Sequence, residues 1–357
     1  FIPFKKIYSK SKIQINKIEI ENANIFFQMK DILDFRNHLY YKINKPVYIK
    51  KSNFFLIDEN KQTILISQLK KIKYLIDIKN NSKQFKIDGN IFDVDYLSLW
   101  KRNYDNPNET FNEINIKNLN LDIKNLFLLE GAKKFSGKSI INFLNEKIII
   151  NYKFQDNKIL VDTPNENQNI KFVSKIELDP FFFESKINID NKDINFFVDY
   201  LFSYIFNSEE QYLGNMNGNV SLEISNLKNS LINNGVINFS IKDKSIKLKK
   251  SQFEVQDIGN IESEFWYYVN NGDLIFISEN MFELKNRKEF SRKFQISTKK
   301  LKDVNKIYFN LEKNIDNGEI SISQVYINEI DKEKFTKKIF IIKNIQLFKA
   351  FIRQILT

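Results

Sequence analysis

Three places in this chain carry residue types at spacings that could do chemistry. The stretch GAKKFSGKS (Gly131–Ser139) resembles a phosphate-binding loop, in which backbone amides between two glycines cradle phosphate oxygens. Such a loop needs four residues between its glycines. Here there are five, and the following IINF alternates like a strand instead of opening a helix. Gly137 is therefore read as relieving a turn that launches a strand through Ile140 and Phe143. His38 is the one histidine; it has no second histidine for a metal and no G-x-S-x-G elbow for a triad, and reads as a surface or loop residue. Asp88, Asp93 and Asp95 in DGNIFDVD invite calcium, but the spacing departs from the D-x-D-x-D-G loop, and Asp88-Gly89-Asn90 makes sense as a turn. The chain has no cysteine, which removes disulfides, thiol catalysis and Cys-ligated metals together. No cofactor or metal is expected, and the protein reads as a non-enzyme. The enzymatic alternative is a hydrolase assembled from Asp, Glu and Tyr that no spacing reveals.

The rest of the sequence builds surface. Apolar residues make up 42% of the 357, with 34 Phe and 15 Tyr, enough for a large buried area. The formal charge of +11 permits attraction to anionic partners. Because the lysines are scattered and Lys, Asn, Ile and Phe are over-used together, genome bias is the stronger account of it. Basic-aromatic interleaving such as KQFKID (Lys83–Asp88) is read as strand core, so nucleic acid is not an expected partner. No run approaches the eighteen or so apolar residues of a membrane helix. With Phe1 at its head, the chain is expected to be the soluble part of something longer, with any membrane anchor upstream.

Short alternating apolar runs broken by Asn, Asp, Lys and Gly dominate from end to end, the pattern of half-buried strands. Phe143 to Thr163 reads as a three-strand meander turning near Asn145-Glu146 and at Asp156-Asn157. Gly235 to Ser278 continues it, turning at Asp243-Lys244, near Gly259 and at NNGD. A motif of the form apolar-x-apolar-x-x-apolar-x-apolar recurs at Ile13, Ile15, Ile18, Ile20, at Ile114, Ile116, Leu119, Leu121, at Leu121, Ile123, Leu126, Leu128, and at Ile320, Ile322, Val325, Ile327. Since a strand has a period of two, each extra residue predicts a bulge, a corner or a bend. In INIKNLNLDIKNLFL the bends are expected at Lys117-Asn118 and near Lys124-Asn125, keeping Ile114, Ile116, Leu119, Leu121 and Ile123 on one concave apolar surface.

Two segments switch to helical spacing. Ile194, Phe197, Val198, Leu201, Phe202, Ile205 and Phe206 predict an amphipathic helix within 190–213, capped by Asp190 or Asn191. Leu347, Phe348, Phe351, Ile352 and Ile355 predict another within the C-terminal segment 332–357. These divide the chain into a β-region 1–189, a helix 190–213, a second β-region 214–331 and the C-terminal helical segment. The fold class is mainly β: an elongated, curled antiparallel sheet with irregular repeats, groove-like, carrying a few amphipathic helices.

Two helices cannot cover so wide a sheet. Very roughly twenty strands at about 4.8 Å each would span something like 100 Å before twist, and open sheets this wide curl or split. A sheet that is apolar inside and Lys/Asn-rich outside forms a trough. Acyl chains suit it, since each methylene taken from water is worth about 0.8 kcal/mol. The alternation assigns its lining to Ile13, Ile15, Ile18, Ile20, Ile114, Ile116, Leu119, Leu121, Ile123, Phe239, Ile241, Ile246, Leu248, Phe253, Val255, Ile320, Ile322, Val325 and Ile327. Nine glycines are too few for a tightly wound β-solenoid.

Taken together, INIKNLNLDI, SGKSIINFLNEKIIINYKF, KIELDPFFFESKINIDNKDINFFVDYLFSYIF and GEISISQVYINEI resemble the AsmA family of Gram-negative envelope proteins. The resemblance is diffuse over the whole region and rests on no short motif. It implies an inner-membrane helix upstream of Phe1, a periplasmic β-sheet folded around a hydrophobic groove, and a part in phospholipid transport toward the outer membrane. Partners would be phospholipid acyl chains, the inner membrane and outer-membrane components. The alternative is a non-catalytic envelope scaffold that assists outer-membrane protein assembly by lending strand edges.

Overall fold

The computed structural model describes residues 17–28, 45–77, 82–91, 94–103, 106, 108–131, 134–143, 146–164, 168–193, 217–228, 232–242, 245–270, 273–314, 320–332, 339–340 and 345–356. The protein is mainly β, as the alternation predicts, with two α-helices among the described residues. These residues fall into two compact units: one of 17–168 and 172–183, the other of 169–171, 184–193 and 217–356.

The first unit is built from β1 (Ile18–Glu21), β2 (Asn24–Gln28), β3 (Val47–Ile57), β4 (Thr63–Asp77), β5 (Ser82–Ile91), β6 (Val94–Asn103), β7 (Glu109–Ile116), β8 (Leu121–Gly131), β9 (Lys134–Phe143), β10 (Glu146–Gln155), β11 (Lys158–Asp162) and β12 (Ile170–Leu178). From β3 onward each strand pairs antiparallel with the next. The edge differs. β1 and β2 both run parallel to β3, one after the other, with Ile18 opposite Val47 and Asn24 opposite Asn53. A left-handed Asn22 (φ 55°) separates them. Parallel pairing is open to them because the connection from Gln28 to Val47 is too long to be a hairpin.

The boundary between the units falls within β13 (Phe181–Asp190), and the first two residues of β12 also belong to the second unit. The second unit then holds β14 (Asn217–Ser225), β15 (Ile232–Lys242), β16 (Ser245–Val255), β17 (Gly259–Asn270), β18 (Asp273–Leu284), α1 (Arg287–Phe294), β19 (Lys306–Asn314), β20 (Ile320–Ile327), β21 (Ile330–Asp331), β22 (Ile339–Phe340) and α2 (Ile345–Leu356). β14 through β20 form an antiparallel meander. Its apolar face meets α1 and α2 in a closed core containing Ile258, Phe282, Phe290, Phe294, Ile307, Ile322, Val325, Phe351 and Ile352. α2 is the predicted C-terminal helix, with Phe351, Ile352 and Ile355 buried. α1 is a finding the sequence reading missed. Asn286 caps it by accepting from the Glu289 amide at 3.1 Å, and Phe290 stacks on Phe294 at 4.3 Å.

The predicted hairpins are present. Phe143 opposes Glu146, Gln155 opposes Lys158, Lys242 opposes Ser245 and Asn270 opposes Asp273. At Asp156-Asn157 both φ angles are positive, 52° and 60°, the primed turn whose twist matches that of its strands.

Four local expectations are corrected. Asp88-Gly89-Asn90 is no turn but the middle of β5, where the Tyr96 ring lies over Gly89. Gly137 likewise lies inside β9, and the Tyr152 side chain occupies the space a Cβ would need. The slip at Lys117-Asn118 is a hairpin and not a bend: a 3₁₀ turn, Lys117–Leu119, is closed by left-handed Asn120 (φ 47°), so Ile116 and Leu121 become cross-strand partners. No irregularity occurs at Lys124-Asn125, where β7 and β8 pair without a break. The predicted helix at Ile194–Phe206 and His38 lie outside the described residues. Asp190, offered as its cap, ends β13, with its carboxylate accepting from Ser225 Oγ (2.8 Å) and Asn226 Nδ2 (2.9 Å).

Candidate functional site

Residues directly opposite on paired strands point to the same side of a sheet, so the registers carry one face from strand to strand. In the first unit that face holds Tyr74, Phe85, Trp100, Asn112, Asn125, Ser139 and Ile150 in one cross-strand row. The neighbouring row is Ile72, Ile87, Ser98, Ile114, Ile123, Ile141 and Ile148. The other side carries Lys73, Lys86, Glu113, Lys124, Lys138, Asn151 and Lys153. One side is thus apolar with a few polar insertions, and the other, the charged side, mixes these charges with Leu97, Leu99, Phe111, Leu126, Leu128, Ile140 and Ile149. Much of the apolar side is only half-buried, including Trp100, Ile114, Ile123, Phe127 and Phe135, and the first unit has no α-helix over it among the described residues.

Aromatic rings run along one margin of this side. Trp100 stacks on Phe127 at 5.5 Å, Phe127 meets Tyr152 at 5.3 Å, and Phe135 stacks on Phe154 at 4.8 Å. Tyr152 reaches across Gly137 to donate to the Leu126 carbonyl at 2.9 Å, and burial pushes its phenol well above the ordinary value. Gly137 has a clear reason: any side chain there would displace that ring.

Between the aromatic margin and the isoleucine row lies a hydrogen-bonded polar string. Asn112 donates to Ser98 Oγ (2.8 Å), Asn125 donates to Asn112 Oδ1 (2.8 Å), and Ser139 donates to Asn125 Oδ1. A one-residue slip of any strand would break the string, so it fixes register where isoleucines alone would tolerate exchange. Asn125→Leu strands the Asn112 carbonyl and the Ser139 hydroxyl together. It is expected to cost about 1–3 kcal/mol, read as a lower urea midpoint, and an unchanged midpoint would mean the string holds nothing. The second unit repeats the device, with Ser263 donating to Asn280 Oδ1 (2.9 Å) and Asn280 Nδ2 to Ser278 Oγ (2.7 Å).

Of the residues assigned to a lining, Ile114, Ile116, Leu121 and Ile123 share the apolar side as partners across one hairpin. Leu119 sits in the connecting turn and not in a strand. Ile18 and Ile20 share that side through Val47 and Ile49, but at the sheet edge, 40% and 37% exposed. Leu126 and Leu128 of the recurring motif point to the charged side, and Asn125 and Phe127 take the apolar positions. In the second unit Phe239, Ile241, Phe253 and Val255 share one face. Ile320, Ile322, Val325 and Ile327 share a face with the help of a true bulge opposite Asn310-Leu311, as the motif predicts. Ile246 and Leu248 take part in the ladder opposite Ile241 and Phe239; their side chains, like Ile13 and Ile15 entirely, lie outside the described residues. The residues that sequence reasoning missed are Trp100, Phe127, Phe135 and Tyr152, all in alternating runs that could have been counted.

A depression of about 450 Å³ is lined by the charged Lys71, Lys73, Lys86, Asp88, Glu113 and Lys124 together with the apolar Ile87, Leu97, Leu99, Ile114 and Ile123. Charges of both signs share it. Asp95, one of the three calcium candidates, is committed to Lys70 Nζ (2.7 Å) and Asn90 (2.9 Å), which hold its carboxyl below the ordinary range, while Asp93 lies outside the described residues. Among the described residues no three His, Asp or Glu side chains group as metal ligands, and no helix is long and apolar enough to cross a membrane. What this arrangement offers a partner is apolar area with fixed register. The chain matches no protein-family model, no curated protein and no solved structure.

Proposed function

We propose that the protein is a periplasmic lipid carrier whose apolar β-sheet side holds acyl chains, and that it contributes to phospholipid transport between the inner and outer membranes. The observation that carries this reading is the half-buried apolar side running in register across β5 to β10, aromatic along one margin. The resemblance to the AsmA family, with the envelope location and inner-membrane attachment it implies, is in keeping with this reading. Lipid binding here needs no catalytic group: each methylene moved from water onto that side gains about 0.8 kcal/mol.

The two tryptophans make the test. Trp100 lies on the apolar side of the first unit, while Trp266 shares the opposite side of the second unit's sheet with Ile277. Phosphatidylcholine carrying a nitroxide on its acyl chain should quench Trp100 emission in Trp266→Phe protein. It should leave Trp266 emission in Trp100→Phe protein nearly unchanged. Equal quenching of both, or of neither, would refute an acyl-chain site on this side.

A further inference from the structure

The charged side of the first unit also exposes large apolar residues. Leu97, Phe111, Leu128, Leu160 and Val173 are 45%, 43%, 38%, 50% and 57% exposed. The registers of β6 to β12 put all five on this one side. Apolar area left in water over several neighbouring strands marks a surface that meets a partner.

The lysines around these residues select the partner. Lys101 stands directly opposite Phe111, Lys138 opposite Leu126, and Lys153 and Lys175 on either side of Leu160. Lys175 meets Glu177 at 2.9 Å, while Lys101, Lys138 and Lys153 make no ion pair among the described residues. Carboxylates share the side as well, Glu109 and Glu113 on β7 and Asp162 on β11. The core of a protein–protein interface excludes lysine and gathers its apolar residues into one patch. Here Phe111, Leu126 and Leu128 form a small cluster bordered by Lys101, Lys138 and Glu109, and Leu160 sits alone between two lysines. A lipid–water interface takes that arrangement. Apolar tips enter among the headgroups, and ammonium groups on flexible stems stay level with the phosphates.

We propose that this side of the first unit docks on an anionic bilayer surface, with Phe111, Leu128 and Leu160 entering the headgroup layer and Lys101, Lys138 and Lys153 meeting lipid phosphates. The docking uses the side of the strands opposite to the one assigned to acyl chains, so it stands without that reading. A unit held in this way keeps its apolar side free.

The chain has no cysteine, so Val173→Cys can carry an environment-sensitive fluorophore at one exposed place on the proposed surface. Vesicles of equal parts phosphatidylglycerol and phosphatidylcholine should raise and blue-shift its emission. Half-binding should come at several-fold less lipid than with phosphatidylcholine alone, and added salt should erase that difference. Phe111→Thr/Leu128→Thr, at exposed strand positions that threonine suits, should weaken binding to the mixed vesicles about tenfold. Lys138→Gln/Lys153→Gln should bring the two vesicle types close to equal. Circular dichroism of both variants should match the parent, which separates lost docking from lost fold. A fluorophore that answers neither vesicle, or a response that the threonine pair leaves intact, would overturn the proposal. So would emission that rises with protein concentration in the absence of lipid, which would mark this side as an interface between copies of the chain. Quenching of Trp100 by nitroxide-chain lipid reads the opposite side of the sheet, so the docking surface and the acyl-chain site can fail separately.

Discussion

Gly259→Ala is expected to lose about 3 kcal/mol of stability in the second unit, because the new methyl group meets backbone and not a side chain that could move aside. A Cβ on Gly259 would overlap the Glu283 carbonyl oxygen and stand 3.0 Å from the Glu283 carbonyl carbon and 3.1 Å from the Lys285 nitrogen. This corner is stitched from several sides. Asp257 turns left-handed (φ 55°), the Ile258 amide donates to Val255 O (2.8 Å), and the Ile258 carbonyl accepts from both Lys285 (2.7 Å) and Asn286 (2.9 Å). Asn286 in turn caps α1, so pushing β17 from β18 here disturbs the start of the helix that buries Phe290 and Phe294. Gly235→Ala is the control. Its Cβ would meet an edge atom of the Phe253 ring at 2.9 Å, which can rotate, although the Gln252 carbonyl is also close at 3.0 Å. Urea unfolding followed by circular dichroism should place Gly259→Ala well below Gly235→Ala, and amide exchange should accelerate around Ile258 and Leu284. Equal losses for the two variants would mean that the strands do not approach this closely at Gly259.

The β class, the hairpins at Asp156-Asn157 and NNGD, the bulge in Ile320–Ile327 and the helix α2 were legible because each depends on residues close together in sequence. Period and turn chemistry are local properties. What was not legible depends on register. In β8, Leu126 and Leu128 satisfy the apolar count as well as Phe127 and Leu129 do, and only the pairing of Asn112 with Asn125 decides that the leucines face outward. The polar string of Ser98, Asn112, Asn125 and Ser139 breaks the alternation at every position it occupies, and it becomes sensible only once four strands are aligned. Asp88-Gly89-Asn90 imitates a turn, yet Gly89 serves a ring from the next strand. α1 is eight residues long, too short for periodicity to register, and the spacing of its capping Asn286 and Glu289 was the one available signal.

One lysine did stand out of its own pattern. In IYFNLEKN the inward positions are Ile307, Phe309, Leu311 and then Lys313, which period two sends to the same side as the three apolar residues. The register agrees, placing Lys313 between Phe276 and Ile320, and it is only 2% exposed. Burial pushes its ammonium down to about 8 from the ordinary 10.5. A base whose folded value is depressed weakens the fold while the proton must be held, so the penalty is fully present below pH 8. It fades as pH rises toward 10.5, where the unfolded chain also gives up the proton. Lys313→Met keeps a stem of similar length and removes the charge. It is expected to raise stability by about 2 kcal/mol at pH 7, read as a higher urea midpoint. The gap between the two proteins should narrow steadily between pH 8 and 10, because only the lysine form gains stability over that range. A gap that is absent at pH 7, or that does not change with pH, would show that the ammonium reaches water along its flexible stem and that the buried position belongs to the methylenes alone.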